Sequence, residues 1–228
     1  MTSSSKLNRI IDNFKFDKFR IFRKKLINLN DRSQKTKHDY GNGYFYQSFE
    51  KIKLSGLRST KKRVDVLNLD KILINKNILD IGTNTGFLIM QTNLKFNKCI
   101  AIDWDQNNIN IANQCKDELK IKNIEFICDD FLKFTNYEKF DIVLSLANHT
   151  TYDGGIKNYV DYFNHIIKFM DKSSILIFET HHPEIENKNQ IENIISYLIK
   201  YFKIKQRGVY KFNNYADDNR EFFILEKN

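Results

Sequence analysis

The chain has 228 residues, 41% of them hydrophobic and 14% aromatic, enough for one α/β domain with a sizeable core plus an extension. It has no apolar run of membrane-spanning length and no signal-type N-terminus, so a soluble cytoplasmic protein is expected. Three scattered cysteines, Cys99, Cys115 and Cys128, without CxxC spacing, argue against a disulfide framework and a zinc site.

The net charge of +9 is uneven: residues 1–63 hold 17 Lys or Arg against 5 Asp or Glu, and the remainder holds 20 against 23. A basic extension beside a near-neutral domain attracts phosphate-bearing partners, whether nucleic acid, nucleotide-activated substrates or a membrane surface; the alternative is a solvated helix face. We therefore divide the chain into a basic helical extension and lid, 1–63, and a single α/β domain, 64–228.

In chain order, residues 1–6 read as frayed. Over 7–29, Ile11, Phe14, Phe19, Phe22 and Leu26 recur every three or four residues, which predicts an amphipathic helix, or two, packed against the main domain; a partner or substrate surface and a bilayer interface are the alternatives. Residues 30–43 read as a loop, 44–49 and 56–60 as an aromatic and Gly-Arg segment, and 61–70 as a helix. From there strands at 77–81, 99–103, 124–128, 140–146 and 174–179 alternate with helices near 86–95, 106–119, 156–170 and 190–201. Two last strands, about 203–212 and 221–226, have no helix between them and fit an antiparallel edge. The pattern predicts a Rossmann-like, doubly wound, mostly parallel seven-stranded sheet with an antiparallel edge strand and an N-terminal helical extension.

The most informative stretch is the loop after the first strand, Asp80-Ile81-Gly82-Thr83-Asn84-Thr85-Gly86. A glycine at 82 permits a tight turn beside a ligand, and Gly86 lets the next helix pack closely. A dinucleotide site needs GxGxxG, and here its second and third glycines are Asn84 and Phe87, which weighs against a dehydrogenase. The second strand ends Ile102-Asp103-Trp104, where an acid can accept both hydroxyls of a ribose and an indole can cover an adenine. The third ends Cys128-Asp129-Asp130-Phe131, where Asp130 is preferred over Asp129 as the ligand-facing acid because it directly precedes the local apolar run. Each acid alone reads more readily as a turn residue or helix cap. Three in order at successive strand ends define a ligand crevice.

This acidic-x-Gly-x-x-x-Gly loop, with Asp103 and Asp130 following, resembles that of class I S-adenosylmethionine (SAM)-dependent methyltransferases, in which Asn recurs at the position of Asn84. The resemblance covers about 44–226 and implies SAM as cofactor, with Asp80, Gly82, Asn84 and Gly86 at its methionine part and Asp103, Trp104, Asp129, Asp130 and Phe131 at its nucleoside. It also implies a lid before the first strand, with Tyr46, Arg58 and Arg63 contacting sulfonium and carboxylate; a packing tyrosine and surface arginines are the alternative. Tyr-Gln-Ser-Phe…Gly-Leu-Arg…Arg before the loop and Asn148-His149-Thr150-Thr151-Tyr152-Asp153 after strand four look like methyltransferases of bacterial polysaccharide gene clusters. They are loosely similar, too, to tRNA wobble-uridine carboxymethyl transferases.

The acceptor side falls at the ends of the fourth and fifth strands, where His149, His181 and His182 lie near Asn148, Tyr152 and Glu179. A hydroxyl nucleophile benefits from a base with pKa near neutrality, so His149 is the first candidate and His181 or His182 the second, with Glu179 orienting one of them. His149, Asp153, His181, His182 and Glu184 are also suitable metal donors, but their spacing matches no metal signature, and no metal is expected. The expected reaction is O-methylation of a small or saccharide-type, phosphate-bearing acceptor, with RNA as the alternative and non-catalytic SAM binding as a third reading. Against RNA, Ser145-Leu146-Ala147-Asn148 replaces the Asn/Asp-Pro-Pro-aromatic run of base-amine enzymes, and no cysteine lies beyond Cys128 to serve carbon-5 chemistry.

Overall fold

A computed structural model describes residues 3–33, 43–135, 138–149, 158–181, 186–211 and 219–228. Strands β1 (Asn77–Ile81), β2 (Lys98–Asp103), β3 (Ile124–Cys128), β4 (Phe140–Leu146), β5 (Met170–Glu179), β6 (Phe202–Lys211) and β7 (Asn219–Lys227) form one sheet in the order β3-β2-β1-β4-β5-β7-β6. The pairs from β3 through β5 are parallel, and β7 runs antiparallel between β5 and β6. The antiparallel strand thus lies one place inside the edge, and β6 forms the edge itself. Because the chain reverses direction of winding at β1, the carboxyl ends of β1, β2 and β4 converge on a crevice, the usual ligand position of an open α/β sheet.

Helices α5 (Phe87–Gln91), α6 (Gln106–Glu118), α7 (Tyr159–Lys168) and α8 (Lys188–Leu198) follow β1, β2, β4 and β5. The central strands are buried on both faces, as a parallel sheet between two helical layers requires: β1 and β2 expose only their first residues appreciably. Local chemistry sets the helix ends. Asp105, Asn158 and Asn187 cap the N-termini of α6, α7 and α8 with their side chains. The helix expected over 61–70 is two, α3 (Thr60–Val66) and α4 (Leu69–Ile72), because Asn68 takes a left-handed φ of 51° between them. The helix after β1 stops early, at Gln91, where Thr92 turns extended and bonds back to the Ile89 carbonyl.

The extension forms α1 (Ser3–Phe14) and α2 (Arg20–Ser33). Phe22, Leu26 and Ile27 enter the core and Phe19 packs against it, as the sequence predicts. Ile11 and Phe14 do the opposite and stand in solvent, and the helix begins at Ser3 rather than after a frayed end. Polar groups hold α1 down instead. The Asp12 carboxylate is fully buried and accepts hydrogen bonds from the Tyr44 hydroxyl (2.6 Å), the Ser55 amide (2.6 Å) and hydroxyl (2.8 Å), and Lys15 (2.7 Å). Arg23, also fully buried, pairs with Asp17 (2.8 Å) and donates to the Ile52 and Lys15 carbonyls.

Breaking one side of such a buried network leaves the other partners unsatisfied, which costs about 3 kcal/mol. Asp12→Ala should therefore lower the stability of the whole chain by about that amount in urea denaturation. An unchanged unfolding midpoint would show that the extension does not fold as part of the domain.

Candidate cofactor and active site

The first part of the site grows from the ends of β1 and β2. Gly82 (φ 65°) and Gly86 (φ 70°) take left-handed conformations that favour glycine, and a Cβ at Gly82 would run into the Asn148 side chain. Asn84 is left-handed as well (φ 55°), which asparagine tolerates better than most residues; its side-chain oxygen then accepts the Thr85 amide at 2.8 Å. The loop is hooked onto the neighbouring strand twice: the Thr83 amide donates to the Ile102 carbonyl (2.9 Å), and the Asn84 amide to the Asp103 carboxylate (2.8 Å).

Two carboxylates are thereby buried at adjacent strand ends. Asp80 accepts the Thr83 hydroxyl at 2.6 Å, and burial pushes its pKa up to about 6. Asp103 accepts the Asp105 amide (3.0 Å) and Asn108 carboxamide (3.3 Å) besides Asn84, yet burial raises it to about 6 too. Neither makes a salt bridge among the described residues. A carboxylate offers about four acceptor positions, so Asp103 retains capacity for a hydroxyl donor, and Asp80 for an ammonium. These residues fit SAM, whose methionine carries that ammonium and whose ribose carries such hydroxyls.

The rest of the nucleoside side is mixed. Trp104 is half-buried beside Asp103, and its carbonyl accepts the Cys128 thiol. Asp129 places its amide on the Asp103 carbonyl (3.1 Å). Asp130 caps the following turn, its carboxylate accepting the Leu132 amide at 3.0 Å. Phe131, expected at the cofactor, is 1% exposed and packs on Tyr162, His165 and Phe169. The turn capped by Asp130 tucks this ring into the core.

The lid residues meet the end of β5. Arg58 lies over the Tyr46 ring at 5.5 Å, and the Tyr46 hydroxyl accepts from Arg220 (3.1 Å). Arg63, expected on the cofactor carboxylate, pairs with the fully buried Glu179 at 2.8 Å, and Arg220 with the same carboxylate at 3.1 Å; the Tyr210 hydroxyl donates to it as well. Burial alone would raise the Glu179 carboxyl, but the two arginines outweigh it and hold it low. Glu179 is thus committed to arginines rather than to a histidine.

The acceptor side is equally structured. The Asn148 carboxamide donates to the Ile81 carbonyl and accepts from Ser145 (3.1 Å) and Tyr162 (2.9 Å), so it pins the end of β4 to the cofactor loop. His149 is fully buried, its Nε2 2.6 Å from Glu186 and its ring 4.5 Å from that of His181. Glu186 also accepts the His181 amide (3.1 Å). Burial, with His149 and Arg220 adding, pushes His181 down to about 2, so it stays neutral. The His149 Nδ1 is buried without a hydrogen-bond partner. His182, Tyr152, Asp153 and Glu184 lie outside the described residues. Among the described residues no His, Cys, Asp and Glu side chains gather as metal ligands do.

Sequence reasoning missed Glu186, Arg220, Tyr210 and Thr83. Glu186 follows a strand in a stretch without periodicity. Arg220 carried one legible signal, a cation at the start of an otherwise apolar strand.

The strand order, the glycine-hinged loop and paired strand-end carboxylates are those of a Rossmann-like methyltransferase. The family model described as "Methyltransferase domain" matches residues 72–217, and the chain belongs to that family. Ribosomal RNA small subunit methyltransferase A of Mycoplasmopsis pulmonis is 36% identical over 81 residues, 35% of this chain and 31% of that protein. The Drosophila melanogaster U6 snRNA methylphosphate capping enzyme Amus is 31% identical over 136 residues, 52% of this chain and 42% of its own. The chain thus spans under half the length of these relatives. The N-methyltransferase NodS of Bradyrhizobium japonicum WM9, solved with S-adenosyl-L-homocysteine, shares the fold with a TM-score of 0.61 at 16% identity, covering 73% of this chain and 86% of that one.

The raised carboxylates give a pH signature. Asp80 and Asp103 hold their protons up to about pH 6 in the fold, against an ordinary value of 3.8. Their stabilising contribution is complete below 3.8 and is lost as pH rises through about 6. The cofactor-free protein should therefore gain stability on acidification from neutrality to about pH 5, and Asp80→Asn or Asp103→Asn should flatten that gain in thermal melts. A wild-type profile already flat over this window would contradict it.

Proposed function

We propose that the enzyme transfers a methyl group to an oxygen of a small or saccharide-type acceptor bearing phosphate, with His149 as general base. The observation that carries this reading is the partnerless, buried Nδ1 of His149 beside an Nε2 engaged by Glu186. In the tautomer whose Nε2 donates to Glu186, Nδ1 presents a lone pair. Bound SAM supplies an electrophilic methyl group on a sulfonium. His149 Nδ1 then takes the proton of the attacking hydroxyl while Glu186 keeps the imidazole in one tautomer and orientation. Asn148 holds this strand end against the loop, so base and methyl donor share one frame, and orientation supplies much of the acceleration of an in-line displacement.

Supporting residues divide by charge. Asp80 would receive the methionine ammonium, and the arginine-rich Arg63–Glu179–Arg220 cluster with Tyr46 and Arg58 would lie toward its carboxylate. Asp103 would take the ribose hydroxyls, with Trp104 and Asp129 or Asp130 at the adenine. Exposed lysines of the extension, such as Lys18 and Lys24, supply the pull on phosphate.

A second reading, RNA as acceptor, is favoured by the printed activities of the two curated relatives and by the same basic extension. Labelled SAM offered to bulk tRNA and to a panel of sugar phosphates and nucleotide sugars separates the two. Label should enter a small molecule, and tRNA should be neither labelled nor bound with a steep salt dependence; label in tRNA would overturn the small-acceptor reading. His149→Ala should lower kcat by about 10²–10⁴ while leaving SAM affinity intact, and Glu186→Gln should lower it less. Full turnover by His149→Ala would remove it as the base.

A further inference from the structure

Helix α1 is inside out. A surface helix ordinarily turns apolar side chains to the core and polar ones to water. Here Ser5 and Asp12 are fully buried, and Asn8 donates to the Gly56 carbonyl, so the polar stripe faces the domain. Leu7, Ile10, Ile11 and Phe14, spaced three and four apart, face outward, with Ile10 55% and Phe14 69% exposed. Phe16 (76%) and Ile21 (84%) extend the apolar surface past the helix end. Its stability does not need these side chains exposed: the Asp12 and Arg23 networks already fix the helix.

The charge around the stripe is one-sided. Lys6 on α1, and Lys18 and Lys24 shortly after it in the chain, are exposed, and Arg20 lies over Phe16 at 4.3 Å. The three acids of residues 3–33 are all neutralised within the chain, Asp12 by Lys15, Asp17 by Arg23, and Asp31 by Arg9. Among the described residues of 3–33 the outward face is therefore apolar and cationic, without an unpaired carboxylate.

We propose that this face docks on an anionic lipid surface, α1 lying in the interface with Leu7, Ile10, Ile11 and Phe14 among the acyl chains and the lysines on headgroup phosphates. Amphipathic segments with a basic border bind in this way, their strength growing with apolar area and anionic charge. An RNA partner would use the lysines but leave Leu7, Ile10 and Ile11 with nothing to bury against. Docking would also bear on the site, because Asp12 holds Ser55 and Asn8 holds Gly56, in the segment that carries Tyr46 and Arg58. The inference stands on α1 alone and does not depend on the identity of the acceptor.

The test is co-sedimentation of the full chain with phosphatidylcholine vesicles and with vesicles that also contain phosphatidylglycerol. Wild type should sediment with the anionic vesicles, weakly with the neutral ones, and less at high salt. The double substitution Ile10→Gln and Phe14→Gln should reduce partitioning by at least roughly tenfold without moving the thermal midpoint, since both side chains are exposed. Wild type left in the supernatant at low ionic strength would overturn the proposal. So would unchanged partitioning of the double variant. A dimer that the double variant converts to a monomer, with no vesicle binding, would instead make the stripe a contact between copies. Low-salt tRNA binding in place of vesicle binding would assign the lysines to RNA.

Discussion

Two carboxylates buried side by side, without a cation in contact among the described residues, are the constraint around which the crevice is arranged. Asp80 and Asp103 sit at the ends of paired parallel strands, and burial lifts both toward neutrality. A chain selected for stability alone would replace them, since uncompensated buried acids are costly. The proposed cofactor would bring the missing donors. The backbone around them serves the same end: the Asn84 amide holds Asp103, the Thr83 hydroxyl holds Asp80, and Asn148 fills the space over Gly82. Loop, second strand and fourth strand thus form one rigid unit before any cofactor enters.

The other half of the site is built on buried ion pairs. Glu179 gathers Arg63 from α3 and Arg220 from β7 on one carboxylate. The strand ends therefore differ in character, with buried acids at β1 and β2 and an arginine–glutamate cluster at β5 and β7. In the proposed reaction His149 and Glu186 lie where the acceptor's proton leaves.

Much of this was legible in the sequence, because period-2 and period-3.6 patterns survive in isolation. β1, β3 and β4 fall where the apolar runs place them, and the glycine loop announces itself. Side-chain allegiance was not legible. Arg63 and Glu179 are 116 residues apart and meet only in the fold, and Phe131 looked like a cofactor contact until Asp130 was seen to cap its turn. Helix α1 shows the deeper limit. Its periodicity is amphipathic, but periodicity cannot say which face points inward. Here Asp12 decides it, through Tyr44 and Ser55, which lie more than thirty residues further along the chain.

The account rests on Asp103 being held ready for a ribose, and calorimetric titration of SAM into wild type and Asp103→Ala tests that most directly. Wild type should bind with a single site, and Asp103→Ala should show no measurable binding while retaining a cooperative thermal transition. Equal affinity in the two proteins would contradict the assignment of the crevice.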